Sequence, residues 1–405
     1  MSKNQAFNRL WSANIFSNLA DGFEKAAIPI LAVTLTKDPV LVSLISALVM
    51  LPWLLLAVPI GTLIDGVNKK NALALSNSLR VAITAFIALA IAADFMSISI
   101  LIVISFIVGI CEVIADTASA TVVQTVVNNK DLEKANSKFE MTYTVIQDFI
   151  GAPLGGLLYG IAIAIPFIAS SAGYALAAVL CFMIPIPFIK PDRHHDVGKF
   201  EAFKSDLKTG MQFWWNHAEL KRLVLFTTAV AFAFSLSNST VILYLTETLG
   251  LNPKNFGFFL TITGIASLLG AAIAPTTAKV LGRGRTMALG IVLSTTTILV
   301  GGMAPNYLVF VLVSCASTFT ILHWNILLMA TYQRLIPQEL YARVHSARRT
   351  LIWGCMPIAS FVGGFIAKIN LRLPFIIGGC AALAIALLNA RFVIRLGNDA
   401  VGEKA

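Results

Sequence analysis

Asp21, Glu24 and Lys25 lie within five consecutive positions of a stretch, Phe7 to Leu35, that is otherwise apolar enough to cross a bilayer. A charge at bilayer depth costs several kcal/mol, and such side chains turn towards a bundle interior or a water-filled cavity. At about 100° per residue, Asn14, Asn18, Asp21 and Lys25 share one helical face with Glu24 beside them. Asp21 and Lys25, four positions apart, can neutralise each other, which leaves Glu24 needing a partner or a proton. A carboxyl removed from water without a counter-charge favours its protonated form, which is what a proton-coupling group requires. Glu112 and Asp116 repeat the four-residue spacing, with Ser119 on the same side, and Lys25 and Arg80 are candidate partners for them. Glu140, Thr144, Gln147 and Asp148 make a third polar face, in which Glu140 is expected only to fix packing.

The proton-coupling candidates are therefore Asp21, Glu24, Glu112, Asp116, Asp148 and His323, an imidazole in an apolar run that titrates near physiological pH. Asn14, Asn18, Lys25, Gln147, Asn238, Trp324 and Asn325 are candidates for the wall of a substrate cavity, and Phe149, Phe232, Phe234 and Tyr244 could add aromatic surface. A salt-bridge network that only fixes helix packing is the competing reading. No ligand set for a metal is evident: His194 and His195 are adjacent in a charged segment and are poorly placed as co-ligands.

The elements that must carry these residues follow from composition. The chain has 405 residues, 57% hydrophobic and 12% charged, with a mean hydropathy of +0.82, against about 25% charged in a soluble domain. This is the composition of a polytopic membrane protein, with length for about twelve crossings of about 20 residues each. Expected helices fall at 10–34, 41–64, 72–93, 97–126, 139–164, 166–189, 222–248, 255–276, 286–303, 307–330, 350–368 and 373–393. Of the 30 Lys and Arg, 25 then occupy one class of loop and helix end and 5 the other. That asymmetry places both termini in the cytoplasm. It also accounts for the net charge of +10 without invoking nucleic acid.

Five cysteines, all in apolar runs and without CxxC spacing, read as buried hydrophobes. The first apolar segment is too long, and too charged in its middle, for a cleavable leader and is expected to remain as helix one. The absence of HExxH, GxSxG and P-loop patterns argues against an enzyme and against ATP drive.

One polar seam divides the chain into an N-terminal six-helix bundle, 1–189, a linker, 190–221, and a C-terminal bundle with a short tail, 222–405. In the linker Phe200, Phe203, Leu207, Met211 and Trp214 have helical spacing, as in an amphipathic helix on the cytoplasmic surface. Residues 127–158 shifted by 208 positions fall on 335–366, aligning Leu132 with Leu340 and Gly155-Gly156 with Gly363-Gly364. Duplicated bundles imply a substrate site between them and alternating access by rocking.

Gly61-Thr-Leu-Ile-Asp65-Gly66 followed by Lys69-Lys70 resembles the GxLxDrxGrr signature of the major facilitator superfamily. LEKANS (132–137), SDLKTGMQFWW (205–215), FGFFLTITGIASLLGA (256–271) and QRLIPQELYARV (333–344) resemble the branch containing macrolide efflux proteins and the enterobactin exporter. The resemblance covers nearly the whole chain. It implies an all-α membrane protein with twelve transmembrane helices in two pseudo-symmetric six-helix bundles. It also implies a monomer in the bacterial inner membrane, driven by a proton gradient without cofactors, that exports a small amphipathic compound such as a drug, macrolide or siderophore. An uptake symporter and a transport-inactive sensor or scaffold on the same fold are the alternatives. Gly61, Asp65, Lys69, Lys70 and Arg80 are expected to latch one conformation, and Gly151, Pro153, Gly155 and Gly156 to allow close packing and bending of helix five. The chain departs from the antiporter pattern in helix four, where VGICEVIAD lacks the usual Arg, and in helix five, where GAPLGG stands for GPxxGG.

Overall fold

In lipid a backbone has no hydrogen-bond partner but itself, so long apolar segments become helices. The computed structural model describes residues 3–65, 67–128, 131–185, 196–337 and 340–399, and every regular element among them is helical. The first half contains α1 (Lys3–Leu35), α2 (Pro39–Leu55), α3 (Ala57–Asp65), α4 (Lys69–Ala92) and α5 (Ile98–Val126). It continues through α6 (Leu132–Met141), a π-helical segment (Thr142–Gly151), α7 (Ala152–Ile161) and α8 (Ile165–Phe182). After α9 (Asp196–Asn216) come α10 (Ala218–Asn238), α11 (Val241–Leu243) with a π-helical turn (Tyr244–Thr248), α12 (Phe256–Leu281), α13 (Arg283–Gly302), α14 (Tyr307–Leu335), α15 (Tyr341–Ile369) and α16 (Leu373–Asp399).

Among the described residues, 9 helices are long and apolar enough to cross a membrane. Their outer faces leave large apolar side chains uncovered, Leu312 at 70% and Leu388 at 77% exposure, as lipid rather than water demands. With 33 residues α1 has the length to span, but Asp21, Glu24 and Lys25 interrupt its apolar run.

Two breaks in the helices of the first unit follow proline. Pro59 has no N–H for the carbonyl of Leu55, and the run from α2 to α3 turns at Leu56 while hydrogen bonds continue on both sides, Leu56 to Pro52 and Ile60 to Leu56. Pro153 likewise cannot bond the carbonyl of Phe149, and the preceding turn widens so that the N–H of Ala152 closes on the carbonyl of Gln147. Asn68 caps α4 by accepting from the N–H groups of Lys70 and Asn71, and Asn306 caps α14 through Val309. Gly282, at φ 83°, supplies the left-handed residue that separates α12 from α13.

Three expected helices start well before their apolar runs, helix one already at Lys3. Helix five begins at Leu132 and helix eleven at Tyr341, because polar LEKANSKF and RVHSARR extend the same helices beyond their apolar part. In α9 Trp214 is 2% exposed and packs in a core with Leu223, Met287 and Val344, while Gly210 abuts the carbonyl of Arg343. The end of the linker helix is thus embedded in protein and does not simply lie on a surface. His194, His195 and the first residues of the linker are outside the described residues.

Contacts divide the chain into two units: Met1–Lys37, Leu48–Glu201 and Asn252–Thr261 in one, and Asp38–Ala47, Ala202–Leu251 and Ile262–Ala405 in the other. These boundaries depart from the seam in the sequence at two places. In the first unit the start of α12 packs on α7, where a Cβ on Gly156 would lie 2.5 Å from Gly257 Cα. In the second, Gly364 of α15 lies against Ser43 of α2. Small residues dominate the α1, α5 and α8 crossings of the first unit, with Ala13, Ala118 and Ala177 in its core.

A Cβ on Gly22 would come 2.5 Å from the carbonyl oxygen of Gln147 and 2.6 Å from Gly151 Cα. Gly22→Val should therefore lower stability by about 1–3 kcal/mol or more through overpacking. Gly61→Ala, whose added Cβ meets nothing within 4 Å, should leave it unchanged or slightly raised. Thermal unfolding of the purified variants in detergent measures the difference.

Candidate functional site

The first unit gathers the charged residues of its helices because the helices touch backbone to backbone. The Gly22 and Gly151 contact sets Asp21, Glu24 and Lys25 of α1 beside Gln147 and Asp148. On the other side of α1, a Cβ on Gly173 would be 3.1 Å from Ala20 Cβ, and the Ser170 hydroxyl donates to the Ala20 carbonyl at 3.2 Å. That crossing delivers Tyr174 of α8 to Asp21.

At the centre Arg80 of α4, 1% exposed, reaches Asp21 with Nη1 3.0 Å from Oδ1. The same Nη1 donates to Ser17 Oγ at 3.3 Å. The Tyr174 hydroxyl donates to Asp21 Oδ1 at 2.7 Å, and the guanidinium carbon lies 5.1 Å from the centre of the Tyr174 ring. Ser17 passes a hydrogen bond to Asn77 Oδ1 at 3.2 Å, and Asn77 Nδ2 returns one to the Leu73 carbonyl at 3.1 Å. Two charges buried together hold only when hydrogen bonds supply what water would have supplied.

The expected pairing of Asp21 with Lys25 is therefore replaced. Asp21 turns to Arg80, and Lys25 Nζ lies 2.6 Å from Asp148 Oδ1. Helical spacing brings the two α1 charges near each other, but neighbouring helices offer each a partner of better geometry. The two pairs differ in kind: the side chains are 2% and 17% exposed for Arg80 and Asp21, against 51% and 35% for Lys25 and Asp148. Arg80, expected in helix three as part of a conformational latch and as a candidate partner of Glu112 and Asp116, is the basic centre of the buried cluster around Asp21.

Glu24 is 4% exposed, and its Oε1 has no hydrogen-bond partner. Arg80 Nε and Nη2 are also buried and unpartnered. Glu112 of α5 is half-buried, and Asp116, one turn on, is exposed. Asp116 lines a polar cleft with Asn14, Ser17, Asn18, Asn77 and Ser119, in which there is room for about one water. Gln147 is 6% exposed.

Of the expected latch, Lys70 Nζ donates to the carbonyl of Phe182 at 3.2 Å and Arg9 donates to that of Met183. Both satisfy carbonyls left open at the end of α8. Gly61 has open space where a Cβ would go, Lys69 opens α4, and the side chain of Asp65 is outside the described residues. Among the packing residues, a Cβ on Gly155 would be 2.5 Å from Phe23 Cα, and Pro153 stands in the first turn of α7.

The second unit turns much of its polarity onto its own helices, although Trp214 Nε1, Thr240 Oγ1 and Arg348 Nε are buried without a partner. His323 Nδ1 donates to the Phe319 carbonyl at 3.0 Å, and Nε2 lies 3.3 Å from the Thr277 hydroxyl, so both ring nitrogens have partners. Trp324 packs edge-on to Phe226 at 5.5 Å within the core. Asn238 and Asn325 are exposed. Among the described residues no three His, Cys, Asp or Glu side chains are grouped to hold a metal.

Sequence reasoning passed over Tyr174, Ser17 and Asn77. A signal was present for Tyr174: Ser170, Ser171 and Tyr174 line up at helical spacing in an otherwise apolar α8. Asp21→Asn, which strands a buried guanidinium, should cost about 3–5 kcal/mol. Lys25→Met, at an exposed pair, should cost about 1 kcal/mol or less, and Glu24→Gln should be neutral or stabilising. Thermal unfolding of the three variants ranks them.

Comparison with known proteins places this site in a family. The major facilitator family model MFS_3, described as transmembrane secretion effector, matches residues 2–403. An uncharacterized MFS-type transporter, YfiS, of Bacillus subtilis (strain 168) is 25% identical over 255 residues, 59% of this chain, and the match spans 58% of that protein's length. A bacterial homologue of the iron transporter ferroportin in an inward-facing state superposes with a TM-score of 0.70 at 14% identity, covering 98% of this chain and 100% of that one. The nucleoside transporter NupG gives 0.64 at 14%, covering 96% and 98%. The peptide transporter POT in complex with sulfate gives 0.67 at 16%, covering 98% and 99%. At such identities the likeness is one of fold. With helices throughout and a family match over nearly its entire length, the chain belongs to the transmembrane secretion effector family of the major facilitator superfamily.

Proposed function

We propose that the protein is a proton-coupled secondary transporter that exports a small amphipathic organic compound by alternating access, with twelve crossings and both termini in the cytoplasm. The observation that carries this reading is Glu24: a carboxyl 4% exposed, with one oxygen unpartnered, one turn from an aspartate already committed to Arg80. Burial disfavours the carboxylate, and with Arg80 already committed to Asp21 the group takes a proton instead. Asp21 and Arg80 are the standing pair, Glu24 carries the proton, and Glu112 is its second acceptor. The unpartnered Arg80 Nε and Nη2 supply the attraction that lets Glu24 give its proton up.

Lys25 and Asp148 make an exposed pair that a charged group of the substrate can open at little cost. Asn14, Asn18 and Gln147 supply hydrogen bonds on the same side of α1. Competition between substrate and proton for one charged cluster gives antiport, since each then binds best when the other has left. A pure packing network predicts no such unpartnered carboxyl oxygen, because a structural ion pair gains nothing from one.

Proteoliposomes with an imposed pH gradient test the reading against a macrolide, a catecholate siderophore and a lipophilic cation. The expected result is substrate movement against proton flow that collapses when the gradient is dissipated. Glu24→Gln should abolish coupled movement while retaining wild-type thermal stability. Movement indifferent to the gradient in the wild type, or unchanged in Glu24→Gln, would overturn the reading. Movement with the protons would identify an uptake symporter.

A further inference from the structure

Where α10 begins and α16 ends, the second unit carries a basic patch whose charge exceeds what its own acids neutralise. Arg395 Nη2 lies 3.2 Å from Glu219 Oε1, and Arg222 Nε donates to Asn389 Oδ1 at 2.8 Å. From the first of these contacts to the second the chain advances along α10 and retreats along α16, so the two helices meet here antiparallel. Lys221 and the exposed Arg391 add further positive charge. Among the residues whose side chains are described, Glu219 is the one carboxylate of the patch, and Arg395 holds it.

Arg222 is fixed in place and not merely exposed. Its Nε is engaged by Asn389, whose own Nδ2 is tied to the Ile385 carbonyl at 2.9 Å. Its guanidinium carbon lies 4.5 Å from the centre of the Phe392 ring. A guanidinium held at one edge and on one face has already given up the freedom that makes surface arginines weak binders. Its two terminal nitrogens form a fork that matches two oxygens of one phosphate. Next to it in sequence, Lys221 sets its Nζ 3.7 Å from the centre of the Trp215 ring.

The same two helix faces turn apolar one turn further into the membrane. Leu225 follows Arg222 by one turn of α10, and Leu388 precedes Arg391 by one turn of α16. Both leucines are exposed, Leu388 at 77%. Trp215, 53% exposed, stands at the polar edge of this surface, and Trp is favoured where hydrocarbon meets water. Phosphate-directed donors thus sit directly above a surface suited to acyl chains.

We propose that this patch binds an anionic phospholipid of the adjoining leaflet, with its phosphate on Arg222, Arg391 and Lys221 and its acyl chains along Leu225 and Leu388. A basic pocket between membrane helices is the setting in which such headgroups are held. The excess of positive charge selects against a zwitterionic lipid, whose ammonium would meet the same bases. A soluble phosphate shares the headgroup chemistry but gains nothing from the leucines. The site depends neither on the identity of the substrate nor on proton coupling.

The purified protein in detergent, titrated with dioleoylphosphatidylglycerol or dioleoylphosphatidylcholine and read by native mass spectrometry, tests the site. The wild type should retain phosphatidylglycerol about tenfold or more over phosphatidylcholine. Arg222→Gln and Arg391→Gln should each lower phosphatidylglycerol retention about fivefold and leave phosphatidylcholine unchanged. Arg391→Gln alters an exposed side chain, so it reads binding without disturbing how α10 packs on α16. Arg285→Gln, which removes the same charge from an exposed position on α13, should retain both lipids as the wild type does. An equal loss in Arg285→Gln would overturn the site in favour of a diffuse field at the basic end of the unit. Wild-type retention in both patch variants, or equal retention of the two lipids by the wild type, would overturn it as well. Glycerol 3-phosphate bound as tightly as the lipid would assign the patch to a soluble phosphate. Each of these failures leaves the proton-coupled reading standing, because no gradient enters the measurement.

Discussion

The first unit is organised around a guanidinium and a carboxylate that have left water together. Arg80 and Asp21 are held in that position with hydrogen bonds from Tyr174 and to Ser17, while Arg80 Nε and Nη2 are left unpartnered. Three helices must therefore converge within side-chain reach of one point on α1. Leu or Phe at the crossings would hold those helices apart. Gly173 removes that obstacle between α8 and α1, and Gly22, Gly151 and Gly155 do the same where the segment carrying Asp148 meets α1. In lipid, where apolar surface gives helices no preference for one another, such close packing and buried hydrogen bonds are what associate them.

The two units use polarity differently. In the first, charged groups from different helices meet, one pair buried and one open. In the second, hydroxyls such as Ser237, Thr295 and Thr331 return hydrogen bonds to carbonyls of their own helices, which hides their polarity without building a site. His323 follows the same rule, with each ring nitrogen occupied, and Trp324 is part of the apolar core. The buried carboxylates are concentrated in the first unit, and the second packs around an aromatic centre of Tyr244, Phe310 and Phe375, with its ion pair of Glu219 and Arg395 at the surface.

Proline shapes where the chemistry can occur. Pro29 withholds an N–H from the carbonyl of Lys25, and Pro153 opens the π-helical segment that carries Gln147 and Asp148. Both flaws fall on the two segments that bring Lys25 and Asp148 together. A helix that has lost a hydrogen bond yields more easily than one with a complete ladder, and a charged pair that must open is well placed beside such a point.

Helical architecture, membrane placement and the face shared by Asn14, Asn18, Asp21 and Lys25 were legible in the residues themselves. Composition and the 3.6-residue period are local properties, and lipid permits few alternatives to a helix. The family followed from short motifs for the same reason. The partners of the charges were not legible. Asp21 faces both Lys25, one turn away, and Arg80, 59 positions away, and only the crossing of α1, α4 and α8 decides which one it meets. Tyr174 went unnoticed because its value lies in what stands opposite it, not in its own helix. Sequence determined which groups must find shelter from lipid; tertiary structure decided which of them share it, because that depends on how closely one backbone can approach another.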